Sequence, residues 1–233
     1  MPMYFYPNSG GIVQLPSEPG GPLNALTDQY QKAYWRSPAA EFIASKRLGH
    51  IWLRGCSTRE WFRLGYVAKP ARGHAAYAGK LVIPYSRALP NGRDTVAFRF
   101  ACVTPQCTHK GNAPVTGPPM KYPKLFNDDY YERSPVTVCF NEIDTMTAFM
   151  HGVPAIGIPT VEGWQDDFVP RLAASQLVRL VVPHNDAGAA AAVTDRIREA
   201  VPSAVVVDCP DGHDLNSAYC AGIAGALVDQ CRV

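Results

Sequence analysis

Residues 136–214 constrain the fold more than any other stretch. Val136 to Phe140 (VTVCF) is a short apolar, β-branched run that leads into Asn141-Glu142-Ile143-Asp144 and a helix-like stretch, TMTAFMHG. Ala155 to Ile158 is a second apolar run. Leu177 to Pro183 is a third, and it ends in His184-Asn185-Asp186-Ala187-Gly188. An alanine-rich stretch follows, whose Ala187 to Ala192 segment predicts a close-packed helix. A fourth run, Ala204 to Val207, then precedes Pro210-Asp211-Gly212-His213-Asp214. Short apolar runs alternating with helices predict βαβ units and a parallel sheet, so the fold class is α/β. Ligands of such sheets sit beyond the carboxyl ends of the strands. Acids follow three of the four strands: Glu142 and Asp144, then Asp186, then Asp211 and Asp214. Glu142, Asp144 and Asp186 come from two loops at one end of one sheet and are expected to converge. Gathered carboxylates are what a hard divalent cation needs.

Charge is divided along the chain. Residues 46–124 carry 14 Lys and Arg against Glu60 and Asp94, a balance of +12. Residues 125–233 carry 6 Arg against 15 acids, a balance of −9, and residues 1–45 carry −1, so the whole chain stands at +2. The basic part suits a polyanion and the acidic part a bound metal. The plain alternative is two solvated faces of opposite sign packing on each other. Apolar content of 47% and charged content of 18% describe a globular chain with ample length for a core. No apolar run approaches the roughly 18 residues of a membrane span. The first residues lack a basic region followed by an apolar one, which predicts no secretory signal. Seven scattered cysteines predict reduced thiols in a cytosol.

Upstream, the Pro/Gly/Ser-rich residues 7–22 read as a tail or linker. Leu26 to Lys46 predicts two helices broken at Ser37-Pro38, with Ser37 as N-cap. Ser57-Thr58-Arg59-Glu60 predicts a short capped helix ending near Gly65. Lys80 to Tyr85 and Thr95 to Cys102 predict paired strands joined through Pro90-Asn91-Gly92. Residues 103–120 read as an irregular Pro/Gly-rich insertion. The division expected is a flexible tail over 1–23, a helical and basic α+β subdomain over 24–130, and the parallel-sheet domain over 131–233.

Taken in order, these pieces resemble the core of a bacterial DnaG-type DNA primase of the phage-encoded variety, from about Leu26 to Gly222. That family carries a pattern like "A..YL..RG" and then "F.LGY". Here Ala40-Glu41-Phe42-Ile43 with Lys46-Arg47, then Phe62-Arg63-Leu64-Gly65-Tyr66, stand in those places. Gly79 to Pro84 resembles its "G.L..P" strand, Phe98-Arg99-Phe100 its basic strand, and Lys121-Tyr122 its "KY" element. The last part is similar to the Toprim domain. Its "EGEID" element reads Phe140-Asn141-Glu142-Ile143-Asp144, with Phe140 and Asn141 where the family has Glu and Gly. Its Asp-x-Asp reads His184-Asn185-Asp186, and its "DLND" reads Asp214-Leu215-Asn216-Ser217.

The resemblance implies an enzyme that synthesises short RNA primers on single-stranded DNA from ribonucleoside triphosphates by metal-dependent nucleotidyl transfer. Glu142, Asp144 and Asp186 would be catalytic. The same three with Asp214 and His184 would hold Mg²⁺ or Mn²⁺, Mn²⁺ being the more tolerant of an imidazole. Lys80, Arg87, Arg99 and Lys121 would face template or nucleotide. A replicative helicase and a separately encoded zinc-binding module are expected partners, and the host cytoplasm the expected location. The altered acids leave two rivals open: a catalytically weak Toprim nucleic-acid-binding subunit of a split primase, and a Toprim nuclease. Each acid also has an ordinary reading, since Asp186 and Asp214 are favoured helix N-caps and Glu142 and Asp144 complement a helix start. Glu162-Gly163-Trp164-Gln165-Asp166 repeats an E-G-x-x-D spacing, but it follows the second strand and reads as a decoy. Cys102, Cys107 and His109 lack a matching second pair, so zinc is not expected.

Overall fold

Seven described stretches of the computed structural model carry the fold: residues 22–89, 92–104, 115–116, 125–128, 135–159, 164–184 and 187–232. The four apolar runs of the C-terminal half form strands β7 (Val136–Cys139), β8 (Ala155–Gly157), β9 (Val178–Val182) and β10 (Ala204–Asp208). They pair in the order β10-β9-β7-β8, all parallel. Helices α4 (Glu142–Met150), α5 (Val169–Ala173), α6 (Ala187–Ala200) and α7 (Leu215–Ala221) connect or follow them, and α8 (Gly225–Arg232) ends the fold. β7 and β8 are buried along their whole length, which explains why they read as unbroken apolar runs.

The N-terminal half opens with α1 (Pro22–Lys32) and α2 (Pro38–Ser45). α1 begins inside the stretch expected to be a tail, with Pro22 in its first turn, a place that tolerates proline. Ser37 caps α2 with Pro38 directly behind it. A small hairpin follows, β1 (Trp52–Leu53) with β2 (Cys56–Ser57), and then α3 (Thr58–Phe62). Ser57 and Glu60 form a reciprocal capping box on α3.

A second, antiparallel sheet runs in the order β3 (Gly65–Tyr66), β4 (Leu81–Leu89), β5 (Gly92–Ala101), β6 (Val115–Thr116). Leu89 pairs with Gly92, so the strands run longer than their apolar cores predict. Val115–Thr116 pairs with Phe100 and Ala101, so the expected irregular insertion supplies a strand there.

Alternation divides the hairpin's two faces. Val82, Phe98 and Phe100 pack with Tyr30 beneath α1. Leu81, Ile83 and Tyr85 join the larger core that continues into the parallel sheet. Phe126 lies at that junction, stacked on Phe62 at 5.3 Å and tilted against Tyr85 at 5.3 Å. Its N–H donates to the Gly157 carbonyl at 2.7 Å, and the Gly157 N–H donates back at 2.9 Å.

Gly65 is where β3 passes under α1. A Cβ there would lie 2.7 Å from both the carbonyl carbon and the Cβ of Tyr30, and Tyr30 is buried. Backbone cannot swing aside as a side-chain tip can. Gly65→Ala is expected to lower stability by about 2 kcal/mol, read from the urea midpoint. An unshifted midpoint would contradict the packing of α1 on β3.

Candidate active site

Asn141 shapes the site locally. Its extended backbone (φ −161°, ψ 169°) and its side chain, which accepts the Asp144 N–H at 2.7 Å, start α4 directly after β7. Glu142 and Asp144 therefore occupy the first turn of a helix rather than a loop. Side chains two apart on a helix point away from each other. The expected convergence of these two carboxylates is thus replaced by divergence.

Glu142 turns to the hairpin. Its Oε1 accepts the Tyr85 hydroxyl at 2.8 Å and faces Arg99 Nε at 3.6 Å. Only 1% of its side chain is exposed. Burial pushes its pKa above the ordinary carboxylate value, while the Arg99 charge and the Tyr85 hydroxyl oppose the rise. Burial, then the neighbouring Glu142 charge, push the Tyr85 phenol well above its ordinary value. The aim of Tyr85 depends on a β-bulge. Tyr85 pairs with Ala97 but Ser86 pairs with Thr95, so Val96 is an extra residue. Arg99, directly across from Ile83, shares the face that looks toward the parallel sheet.

Asp144 turns to α7. Its Oδ1 accepts the Asn216 N–H at 2.8 Å and its Oδ2 accepts Asn141 Nδ2 at 2.9 Å. Burial, followed by repulsion from Asp214, raises its pKa to about 7, against the pull of its hydrogen bonds. Asp214 caps α7: its Oδ1 accepts the Ser217 N–H at 2.7 Å, and Ser217 Oγ accepts the Asp214 N–H at 2.9 Å. Asn216 ties three helices together. Besides its bond to Asp144, its Nδ2 donates to Thr147 Oγ1 at 2.9 Å and to the Lys46 carbonyl, just past α2, at 3.0 Å.

His184 closes the strand end of β9. Its Nδ1 accepts the Gly212 N–H at 2.9 Å, so the neutral ring carries its proton on Nε2, which faces Asp211 Oδ1 at 3.4 Å. Its backbone N–H donates to the His213 carbonyl at 2.8 Å, holding the 210–214 turn beside β9. Asp186 and Lys121 lie outside the described residues, as do Glu162, Cys107 and His109. Cys102 is half-buried.

Besides Arg99, two more of the basic candidates are held by the protein. Lys80 is 6% exposed, with Nζ 5.7 Å from the Tyr77 ring. Arg87 pairs with Asp94 at 2.8 Å. Among the described residues, then, Glu142 meets Arg99 and Asp144 meets Asp214, and these pairs face different ways. Among the same residues, no group of three or more His, Cys, Asp and Glu side chains is set to hold a metal ion. Sequence reasoning did not single out Tyr85 or the joining role of Asn216. Asn216 stands inside the "DLND"-like element; Tyr85 offered only strand alternation.

No protein-family model matches the chain. The Gene 57 protein of Mycobacterium phage D29 is 26% identical over 158 residues, 66% of this chain and 99% of that protein. Among solved structures, the zinc-binding and RNA polymerase domains of the Aquifex aeolicus primase superpose with a TM-score of 0.66 at 15% identity. That match covers 89% of this chain, which spans 59% of the Aquifex chain. The RNA polymerase domain of Mycobacterium tuberculosis primase DnaG gives a TM-score of 0.65 at 15% identity, over 89% of this chain and 80% of that one. At this identity the likeness is one of architecture: a mixed α/β fold with a parallel four-stranded sheet and flanking helices, built as the RNA polymerase domains of these primases are.

Proposed function

We propose that the protein is the nucleotidyl-transferring core of a phage-encoded DnaG-type DNA primase, with residues 131–233 as its Toprim domain. It would bind single-stranded template and ribonucleoside triphosphates and join them into short primers. The observation that carries this reading is the fold likeness to two primase RNA polymerase domains over 89% of the chain. The +12 balance of residues 46–124 agrees with it, since a nucleic-acid strand is a polyanion.

Mg²⁺ or Mn²⁺, when bound, would neutralise the triphosphate and lower the pKa of the attacking 3′-hydroxyl. Asp144 and Asp214 fit such an ion, because the repulsion by which Asp214 raises the Asp144 pKa is what a cation relieves. Asp186, from the β9–α6 connection, would complete the set. His184 would have to release its Gly212 bond to ligate, since Nδ1 holds the free lone pair and the neutral ring carries its proton on Nε2. Glu142 fits less well, since Arg99 already supplies its counter-charge. Arg99 in turn would place positive charge beside the triphosphate or template. A replicative helicase and a separate zinc-binding module would complete the machinery in the host cytoplasm. Among the described residues, no helix is long and apolar enough to cross a membrane.

One observation favours a second reading. Phe140, where the related pattern has Glu, is 3% exposed, and the next acid, Glu142, is neutralised internally. A chain so altered would serve as the nucleic-acid-binding subunit of a split primase. Primer synthesis on single-stranded DNA, with Mg²⁺ and Mn²⁺ in turn, separates the two. Short RNA products that require the divalent ion are expected. Strand binding without product from either metal would leave the subunit reading, and DNA cleavage would point to a nuclease.

A further inference from the structure

The four tryptophans are not treated alike. Trp164 is 5% exposed, and Trp61 is covered by Phe149 at 4.9 Å and by the Arg93 guanidinium at 4.9 Å. Trp35 and Trp52 are 65% and 64% exposed. Indoles left in water at that level are uncommon enough to need a reason.

Trp35 lies in the α1–α2 connection and is braced there. It meets Tyr34 edge-on at 6.2 Å, and the Arg59 guanidinium lies 4.5 Å from its ring. Trp52 is on β1, whose hairpin turns through Arg54 (φ 52°) and Gly55 (φ 80°). Its cross-strand partner, Ser57, caps the helix that carries Arg59, so the hairpin and the Trp35 connection are joined through α3.

The arginines around them are placed against backbone preference. Arg36, Arg47 and Arg54 all have left-handed backbone (φ 57°, 55° and 52°). Glycine or asparagine would adopt it at lower cost. All three are exposed, and none makes a side-chain hydrogen bond or ion pair to another described residue. From Trp35 through Arg63 six Lys and Arg stand against two acids, Glu41 and Glu60. Glu60 is occupied by the Ser57 cap.

We infer that Trp35 and Trp52, flanked by Arg36, Arg54 and Arg59, form a stacking platform for single-stranded nucleic acid. This site is separate from the α4–α7 carboxylates. Aromatic faces receive bases of any sequence while the guanidinium groups follow the phosphates. Cationic surroundings distinguish this occupant from an apolar protein face, which would be met by uncharged neighbours. The inference rests on the reading that the protein engages single strands.

The test is fluorescence polarisation of labelled oligothymidylate with the full chain. Trp35→Ala and Trp52→Ala are each expected to weaken binding roughly tenfold. Trp35→Tyr and Trp52→Tyr should retain most of the affinity, because a face remains. Arg36→Ala and Arg54→Ala should instead reduce the salt slope by about one each. Wild-type tryptophan emission should be quenched in the same titration, a readout independent of how any variant folds. If the wild type binds but the double Trp→Ala variant binds equally well, or quenching is absent, the platform is refuted while the primase reading stands. If the wild type binds no strand at low salt, both fall.

Discussion

Arg99→Ala lowers stability by about 3 kcal/mol near neutral pH, and adding Glu142→Gln recovers most of that loss. The reason is the isolation of Glu142. It sits in the first turn of α4 with 1% of its side chain exposed, and its counter-charge is a guanidinium carried by the other sheet. Breaking such a pair from one side leaves a buried carboxylate without its counter-charge, still accepting the Tyr85 hydroxyl. Glutamine keeps the shape and the acceptor for Tyr85 but has no charge to strand. The loss also has a pH signature. Burial already raises the Glu142 pKa. Its ionisation therefore opposes folding as pH rises, and removing Arg99 steepens that opposition. The cost of Arg99→Ala should be large at pH 8 and small below about pH 4, where Glu142 is protonated in both states. Urea midpoints of the two single variants and the double variant supply the cycle. Single-variant losses that simply add would mean that the two groups do not interact, and the joint between the sheets would then rest on apolar packing alone.

How far this geometry could be read beforehand depended on the distance over which each feature is decided. Features settled within a few residues were legible. The Ser37-Pro38 helix start, the Ser57/Glu60 capping box and the apolar runs that became β7, β8, β9 and β10 are of that kind. The positions of Glu142 and Asp144 were legible too, but not their directions. Acids two apart look like one cluster in a string of letters. Once Asn141 caps the helix they face opposite neighbours, one toward β4 and β5 and the other toward α7. Whether Arg99 looks outward or toward the parallel sheet turns on strand register and on the bulge at Val96, which no local pattern marks. Lys80 illustrates the same limit. Alternation along β4 leaves a charged residue beside the strand, but in the fold Lys80 is buried with its ammonium near the Tyr77 ring. Pairing of Val115–Thr116 with β5 is likewise a long-range choice made within a Pro/Gly-rich stretch.

A second large pH effect is expected at Asp144. Its pKa moves from the ordinary 3.8 to about 7 in the folded protein. Between those values the folded state holds the proton more tightly than the unfolded chain, so this group's contribution falls as pH rises. It is fully present below about pH 4 and lost once pH passes 7. Over that interval the change amounts to about 4 kcal/mol. Asp144→Asn cannot ionise and should show no such loss. Its amide replaces one acceptor with a donor toward Asn141 Nδ2, a fixed cost that does not depend on pH. The variant should therefore be less stable than the wild type near pH 5 and draw level with it or pass it near pH 8, when urea unfolding is followed with a chelator present. Parallel pH profiles would show that Asp144 stays ionised throughout and that its repulsion with Asp214 is screened. Adding Mn²⁺ at pH 8 extends the test to the proposed site. An ion held by Asp144 and Asp214 binds the deprotonated pair, so it should raise the wild-type midpoint and leave that of Asp144→Asn nearly unmoved. An equal rise in both proteins would place the ion elsewhere and leave Asp144 as a joint between α4 and α7.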